Sequence, residues 1–333
     1  MINTASIISQ LLQQFPRKLF QQIVHEEKAE RHAKGFTCWV QFVAMIFSQV
    51  AIADSLRDIC NGLRCCIGKL VHLGLKEAPK RSTLAYANEH RKATVYERLF
   101  YSTYDRFRSE GKLGNRKSKF RFKNKLLSLD STTISLCLKM FPWASFRRAK
   151  GGIKIHVLLD HDHYMPDFIA IREAKKHDVA IAKSLTLNSG SIVAMDRAYN
   201  NYRLFSRWIE RGIYFVTRMK ENALYKVVES KAIPKHRNIL SDEMIRLTGL
   251  NAENTCPHLL RRIVVWDEDS EREIVLLTNH MDFGSTTIAS IYKERWEIEI
   301  FFKTLKQTMK IKSFVGTSEN ALRIQIWTAL IAL

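Results

Sequence analysis

The sequence predicts an α/β protein in which a helical N-terminal region precedes a mixed sheet. Apolar residues recur at helical spacing up to about residue 110, which is typical of packed helices. From residue 126 onward the pattern changes to short apolar runs bounded by turn residues, which indicate strands. Three such strands come first, and strands then alternate with helices. We therefore expect a mixed α/β sheet that opens with an antiparallel meander.

The composition indicates a folded protein with a nucleic-acid partner. The 333 residues include 53 Lys and Arg against 33 Asp and Glu, a formal net charge of +20. A hydrophobic fraction of 46% excludes a disordered basic tail. No apolar run reaches the roughly 18–20 residues of a membrane span, and no signal peptide is visible. The six cysteines show no CxxC pair, so we expect neither a zinc site nor disulfides in this soluble intracellular chain.

The N-terminal region, residues 1–110, is predicted to be all helical. Apolar spacing favours helices around residues 7–12 and 36–52, and Asp54 is the expected N-cap of a helix that runs through Leu63. Ser82 is the expected cap of a further helix over residues 83–107. Two interpretations of the segment 81–91 stay open: a helix that contacts the major groove of DNA, or an ordinary packed helix.

Residues 111–125 form a basic segment with seven Lys or Arg and no acid. Glycine, asparagine and serine predict a loop or linker here. A solvated interdomain linker and a direct DNA contact are equally compatible with this pattern. Phe120 and Phe122, which alternate with the charges, favour a phosphate-binding entry into the first strand.

The remaining elements follow in order. We expect a strand at 126–138, a hairpin at 152–160 and 165–172, a helix at 177–187, a strand at 191–195, a helix at 202–211 and a strand at 212–218. Residues 223–280 break the alternation and predict a β-rich insertion with a hairpin at 260–266 and 272–277. A long helix is expected over 287–309.

Two aspartates stand out against apolar strand sequences. Asp130 lies in LLSLDSTTI, where a buried carboxylate needs a partner or a metal, or else bonds to a neighbouring hydroxyl at the strand end. Asp196 directly follows the apolar strand SIVAM and precedes Arg197, which can pair with phosphate. It is either a ligand-facing group at a strand end or the cap of the next helix.

The predicted long helix carries an unusual combination of side chains on one face. Tyr292, Arg295, Glu299 and Lys306 fall within an arc of roughly 60° at about 100° per residue, and Lys303 borders it. A salt-bridged amphipathic helix would also show such spacing. Glu299 is, however, a single carboxylate among cations, and this favours an anionic partner with the carboxylate reserved for a metal.

Asp130, Asp196 and Glu299 together would supply three acidic ligands without histidine or cysteine. Such a set suits Mg²⁺ or Mn²⁺. Two such ions, roughly 4 Å apart, support in-line phosphoryl transfer.

The same segments resemble a known enzyme family. The spacing Y-x2-R-x3-E-x6-K that begins at Tyr292 matches the YREK signature of the insertion-sequence-4 family of bacterial DDE transposases. LDSTT around Asp130 and MDRAY around Asp196 resemble its first two catalytic segments, and residues 149–160 resemble the run that follows the first of them. Residues 1–110, including RSTLAYANEHR at 81–91, resemble the helical DNA-binding domain of one branch.

This resemblance implies a ribonuclease-H-like catalytic core at 126–222 and 281–333, with the β-rich insertion at 223–280 and the basic linker at 111–125. It implies cut-and-paste transposition with two Mg²⁺ or Mn²⁺ ions at Asp130, Asp196 and Glu299. The backbone of the transposon end would be held by Tyr292, Arg295 and Lys306, with Arg197 and Lys303 as further DNA-binding candidates. Relatives form a hairpin on the excised end, with a tryptophan stabilising a flipped base. Trp266 is the first candidate for that role and Trp296 the second, although both also fit a packing role.

The resemblance also implies double-stranded DNA partners (terminal inverted repeats and target DNA), a homodimer in the complex that joins two ends, and a cytoplasmic, nucleoid-associated location. Family members continue past the apolar pattern at 324–333, so we expect a truncated or frameshifted copy. Two alternatives therefore stay open: a DNA-binding protein or repressor without catalysis, and a nuclease of the same core that cuts without joining.

Overall fold

The structure is a computed structural model that describes residues 4–31, 33–66, 68–114, 119–147, 150–174, 178–235, 237–249, 251–308 and 314–333. It divides into two compact units. The helical unit comprises Met1–Gly114, Ser135–Gly152 and Phe302–Leu333, and the sheet unit comprises Asn115–Ile134 and Ile153–Phe301. Within the described ranges, no helix combines the length and the apolar character that a membrane crossing requires.

The elements are numbered in chain order. The helices are α1 Thr4–Gln13, α2 Arg17–Glu26, α3 Cys38–Val50, α4 Leu56–Cys65, α5 Arg81–His90, α6 Thr94–Ser109, α7 Asp178–Ser184, α8 Tyr202–Glu210, α9 Ala252–Thr255, α10 Ser285–Glu294, α11 Glu297–Thr308 and α12 Glu319–Ala332. The strands are β1 Leu126–Leu136, β2 Ser145–Arg147, β3 Lys150–Asp160, β4 Met165–Glu173, β5 Ile192–Met195, β6 Tyr214–Arg218, β7 Tyr225–Ser230, β8 Ile239–Leu247, β9 Leu260–Asp267 and β10 Arg272–Thr278.

The helical unit is built around α3, which is buried along almost its whole length. The centroid of the Phe42 ring on α3 lies 5.3–5.5 Å from those of Phe15, Phe20 and Trp39. Phe20 and Trp39 also contact each other, with centroids 5.2 Å apart. Helix α12 is also buried on most sides and packs against α3, α5 and α6. The sequence grouped residues 281–333 with the sheet, whereas residues 302–333 cluster with the N-terminal helices.

Two helix starts in this unit differ from the sequence-based expectation. Ser55, not Asp54, caps α4, because its hydroxyl accepts a hydrogen bond from the amide of Asp58 at 3.2 Å. The helix expected over 83–107 is two helices, and Ser82 lies inside the first turn of α5 without capping it.

A tertiary contact explains the break between α5 and α6. The side-chain amide of Asn320 on α12 donates to the carbonyl oxygens of Asn88 and Arg91, and its oxygen accepts from the Ala93 amide. The end of α5 is therefore satisfied by a side chain that is distant in sequence. Apolar spacing carries no information about such a contact.

The sheet unit contains the strand order β3-β1-β5-β6-β10-β9-β8-β7, and β4 pairs with β3. The pairs β1–β5 and β5–β6 are parallel, whereas β3–β4 and the strands from β6 to β7 pair antiparallel. The expected α/β fold with a mixed, ribonuclease-H-like sheet is confirmed. The strands of the expected insertion at 223–280 continue the central sheet, because β10 pairs directly with β6.

Helices cover both faces of this sheet. Helix α8 packs Phe205 and Trp208 against one face, in a cluster that includes Leu129 and Met195. Helix α10 packs Ile288 and Ile291 against the other face. All four residues of β5 are buried, as expected for a central parallel strand covered on both sides.

The helix expected over 287–309 is interrupted, and Met309 itself lies outside the described residues. Helix α10 ends at Glu294 and α11 begins at Glu297. The amides of Arg295, Trp296, Ile298 and Glu299 each bond to the carbonyl oxygen three residues earlier, which tightens the chain at this point. The interruption contains neither glycine nor proline, so the sequence pattern gave no sign of it.

Candidate active site

Two aspartates lie side by side at the point where the pairing of β1 with β5 ends: Asp130 is the fifth residue of β1, and Asp196 directly follows β5. The register of β1 and β5 places Leu129 beside Met195. Asp130 and Asp196 are the next residues along each strand, so both carboxylates lie at one edge of the sheet. Ligands of open α/β sheets bind at this kind of edge. Both aspartates singled out in the sequence are therefore brought together.

Asp130 is held in a largely buried, polar environment. Its Oδ1 accepts the Ser131 amide at 2.7 Å, and its Oδ2 lies 2.8 Å from Nη1 of Arg295. Burial raises the pKa of Asp130 to about 6, although Arg295 and the Ser131 amide act in the opposite direction. The charges of Asp196 and Glu299 also raise this pKa, so both carboxylates lie near enough to Asp130 to repel it.

Arg295 sits at the centre of this group. Its Nη1 lies 3.7 Å from Oε1 of Glu299, in addition to its pair with Asp130. The Arg295 side chain is 7% exposed, and its guanidinium carbon lies 5.6 Å from the ring centroid of Tyr292 and 5.3 Å from that of Trp296. The interruption between α10 and α11 is the point at which Arg295 turns toward β1. One buried guanidinium thus pairs with two of the three carboxylates and offsets only one of their charges.

Asp130, Asp196 and Glu299 have the oxygen ligands that a divalent cation needs, but in this structure they do not converge on one position. Among the described residues, no three His, Cys, Asp or Glu side chains are grouped closely enough to hold a metal ion. Oxygen ligands suit hard divalent cations. The repulsion that raises the pKa of Asp130 is also what a bound cation would relieve. Glu299 is more exposed than Asp130, with 48% of its side chain accessible against 18%.

Comparison with known proteins identifies the family of the chain. Residues 121–333 match the family described as the transposase DDE domain. The chain belongs to the DDE transposase family. DDE transposase domains use divalent metal ions in general, in agreement with the donor chemistry. Residues 3–76 of this transposase match a domain of unknown function, DUF4372.

Relatives of this transposase carry corresponding names. A Sinorhizobium fredii protein named as a transposase, y4zB, is 32% identical over 259 residues, which cover 77% of this chain and 70% of the relative. A Geobacillus stearothermophilus protein named as the transposase of insertion sequence element IS5377 is 30% identical, over 64% of this chain and 56% of its own. A third, named for element IS4SA of Synechocystis, is 27% identical over 75% of this chain and 69% of its own.

The expected DNA-binding residues of the transposase have different surroundings. Tyr292 is buried at the end of α10, and burial raises its pKa while Arg295 and Arg218 lower it. Arg197 is exposed and paired with Glu221 at 2.6 Å. Lys303 and Lys306 are exposed on α11, four and seven residues after Glu299. The single helix face expected from the sequence is thus divided between two helices.

Both candidate tryptophans of the transposase line one cavity of about 850 Å³. Trp266 on β9 is 39% exposed, and Trp296 between α10 and α11 is 55% exposed. Tyr292 and Arg218 line the same cavity. Neither tryptophan is a core residue, so the packing interpretation of these side chains is wrong.

Arg218 is a site residue that the sequence analysis missed. It ends β6, the strand beside β5, and its guanidinium carbon lies 5.9 Å from the ring centroid of Tyr292. The Nε atoms of Arg218 and Arg295 and the hydroxyl of Tyr292 are buried, and within the described chain none of the three has a hydrogen-bond partner. Three donors without acceptors are suited to an anion. Arg218, like Asp196, lies at the end of an apolar run, and this position in the sequence was the signal that could have identified it.

A second missed group fixes the chain just after Asp196. Tyr199 is fully buried, and its hydroxyl lies 3.2 Å from Nδ1 of His156 on β3. Burial raises the pKa of Tyr199, while a hydrogen bond with Ser131 beside Asp130 acts against the rise. Asn200 donates to the carbonyl oxygen of Arg218 at 2.7 Å. These contacts connect the segment after Asp196 with β1, β3 and β6.

Proposed function

We propose that this chain catalyses cut-and-paste transposition of an insertion sequence of the insertion-sequence-4 branch, with Asp130, Asp196 and Glu299 as its catalytic, metal-binding residues. The register of β1 and β5, which puts the two aspartates at one sheet edge beside Arg295, is the observation that carries the proposal. Two Mg²⁺ or Mn²⁺ ions on these carboxylates would activate the attacking oxygen and stabilise the leaving oxygen of a phosphoryl transfer.

The residues around the carboxylates hold the scissile phosphate in this proposal. Arg295, Arg218 and Tyr292 offer buried donors that lack partners within the described chain. A phosphate oxygen would satisfy them and, because burial lowers the local dielectric, bind strongly. Arg295 is paired with Asp130 in this structure. When a cation binds Asp130 and DNA binds Arg295, a phosphate oxygen would replace the Asp130 carboxylate as the partner of Arg295. Lys303, Lys306 and Arg197 contact flanking phosphates.

The tryptophan-lined cavity supports a hairpin intermediate on the excised end. Strand joining into a tight hairpin favours extrusion of a base, which costs a few kcal/mol. Stacking on an aromatic ring returns about 1–3 kcal/mol per base. Trp266 and Trp296 border the same cavity, whose volume of about 850 Å³ is sufficient for a base. Trp266 is assigned the base contact, and Trp296 is the alternative.

The helical region 1–110 binds the terminal inverted repeats in this proposal, and α5 reads the major groove. Arg81, Ser82, Tyr86 and His90 are exposed on α5, and the rings of Tyr86 and His90 stack at 4.0 Å. The basic excess of the chain supports a DNA partner. Two copies of the chain hold the two ends together as a homodimer.

The test is cleavage of a duplex that carries the terminal repeat. Wild-type protein should nick it only with a divalent ion, and Asp130→Ala, Asp196→Ala and Glu299→Ala should each abolish nicking while retaining binding. Glu229→Ala, which removes an exposed carboxylate on β7 away from the tryptophan-lined cavity, is the matched control. Full cleavage by any of the three site variants would remove that residue from the catalytic set.

A second assay separates the proposal from its alternatives. Pre-cleaved ends with a free 3′-hydroxyl should be joined to target DNA by a transposase, whereas a nuclease of the same fold would cut and never join. A DNA-binding protein without catalysis would bind ends equally well with all three carboxylates replaced, and would neither cut nor join.

A further inference from the structure

We propose that Arg121 and Lys123 bind phosphates of the DNA backbone that leads into the tryptophan-lined cavity. They belong to a basic strip, defined as Lys119, Arg121 and Lys123. The sequence left two interpretations of this segment open, a solvated linker and a DNA contact. The inference rests on the proposed function, since it takes the ligand to be duplex DNA. It assigns to the sheet unit a phosphate-binding surface that lies outside the carboxylate site.

The strip is fixed to the sheet unit by aromatic stacking. The rings of Phe120 and Phe122 stack with centroids 4.8 Å apart, and Phe122 stacks on Phe283 at the same distance. Phe283 in turn stacks on His280 at 3.7 Å, and His280 packs on Tyr214 of β6 at 4.2 Å. A column of five rings therefore joins the strip to the central sheet. A free linker would have no such anchor.

The aromatic and the basic side chains of this segment differ in exposure. Phe120 and Phe122 are half-buried, whereas Lys119, Arg121 and Lys123 are all exposed. The phenylalanines therefore face the sheet unit, on which their rings stack, and the cations face solvent. Residues 111–125 contain no acid that would offset these charges. Because the strip is already held, binding costs less conformational entropy than ordering a flexible linker.

One end of the strip lies at the cavity. Lys119 lines the cavity with Trp266 and Trp296, and its Nζ lies 2.7 Å from Oε1 of Glu294. Lys119 is thus engaged with the end of α10. Arg121 and Lys123 are different, because neither has a hydrogen bond or ion pair with any other described residue. They are the cations of the strip that a phosphate can take without breaking an existing pair.

The salt dependence of DNA binding tests the proposal. Each phosphate contact contributes about 0.9 to the slope of log K against log salt concentration, so losing two contacts should lower the slope by about 1.8. The full-chain Arg121→Gln/Lys123→Gln variant should show this decrease with a terminal-repeat duplex and with random duplex alike. The control Arg203→Gln/Lys226→Gln removes two exposed charges from α8 and β7 and should leave the slope unchanged. Thermal melting should match wild type, because both phenylalanines are retained.

The outcomes separate this inference from the proposed function. An unchanged slope, or an equal decrease in the control, would mean that Arg121 and Lys123 contact no phosphate, and would overturn the inference. A decrease seen with duplex RNA but not with duplex DNA would also overturn it. If wild-type protein neither cuts nor joins terminal repeats, the proposed function fails, whereas the slope measured on random DNA still decides whether the strip binds phosphates.

Discussion

Replacing Asp130 by asparagine should stabilise the protein while abolishing strand cleavage. Asparagine keeps the size of the side chain and can still accept from the Ser131 amide, but it removes a buried charge. The attraction of Arg295 is already included in the raised pKa of Asp130, and Arg295 keeps Glu299 at 3.7 Å as an ion-pair partner. Burial raises the pKa of Asp130 from its usual 3.8 to about 6. The folded protein therefore binds this proton more tightly than the unfolded chain does. As a result, the wild-type free energy of unfolding falls as the pH rises through that interval.

The size of the effect follows from the same values. A difference of about two pH units at ~1.4 kcal/mol each predicts that Asp130→Asn gains up to about 3 kcal/mol at pH 8. The gain should fall to about half of that at pH 5 and should vanish below about pH 3, where the carboxyl is neutral in the folded and the unfolded chain alike. Glu299 and Asp196 add to the repulsion that asparagine removes. Part of the gain is therefore specific to the site.

Urea unfolding at pH 5 and pH 8, followed by circular dichroism, measures the effect. Asp269→Asn is the control, because its carboxylate is 80% exposed and surface changes of this kind usually alter stability by less than about 0.5 kcal/mol. If Asp130→Asn is no more stable than wild type at pH 8, the reasoning fails. It also fails if the gain at pH 5 equals that at pH 8.

Three further predictions concern other parts of the molecule. Tyr199→Phe should lower the cleavage rate about tenfold, because the hydroxyl that ties the segment after Asp196 to its neighbours is lost at ~1.4 kcal/mol; a raised Mn²⁺ requirement, measured by calorimetry, distinguishes this from simple destabilisation. Asp242→Ala should destabilise the protein by about 3–5 kcal/mol in urea unfolding, since it leaves the buried Arg261 guanidinium unpaired; the double change Asp242→Leu/Arg261→Met should recover most of that loss. Arg81→Ala/Tyr86→Ala should weaken binding to terminal repeats more than to random duplex in a gel-shift titration, and an equal loss on both would remove α5 from sequence recognition.

The sheet was predictable because its strands carry their own signal. Residues 192–195 form a short apolar run, and burial on both faces is what such a run requires. Asp130 and Asp196 were singled out for a related reason, since a carboxylate within or directly after an apolar strand needs a hydrogen-bond partner, a capping role or a metal. The hairpin β9–β10 followed from two apolar runs around an acidic turn.

The features that the sequence did not predict depend on contacts between distant residues. The end of α5 is satisfied by Asn320, and the interruption at Arg295 coincides with a pair to Asp130, 165 residues away. Neither position contains glycine or proline. Arg218 and Tyr199 were missed because their roles arise only when β6, β1 and α10 meet. Periodicity describes a segment's own faces, not its partners.

The continuity of the sheet through β6 and β10 limits how this protein can be divided. Strands β7 to β10 are hydrogen-bonded into the same sheet that carries both aspartates, so they do not form a separate inserted domain. Deleting residues 223–280 would leave the edge of β6 open, with Phe215 and Val216 beside unpaired backbone groups. A shortened enzyme of this kind should aggregate before its catalysis can be measured. Attempts to exchange specificity between relatives should therefore graft side chains onto β9 and β10 and leave their backbone intact.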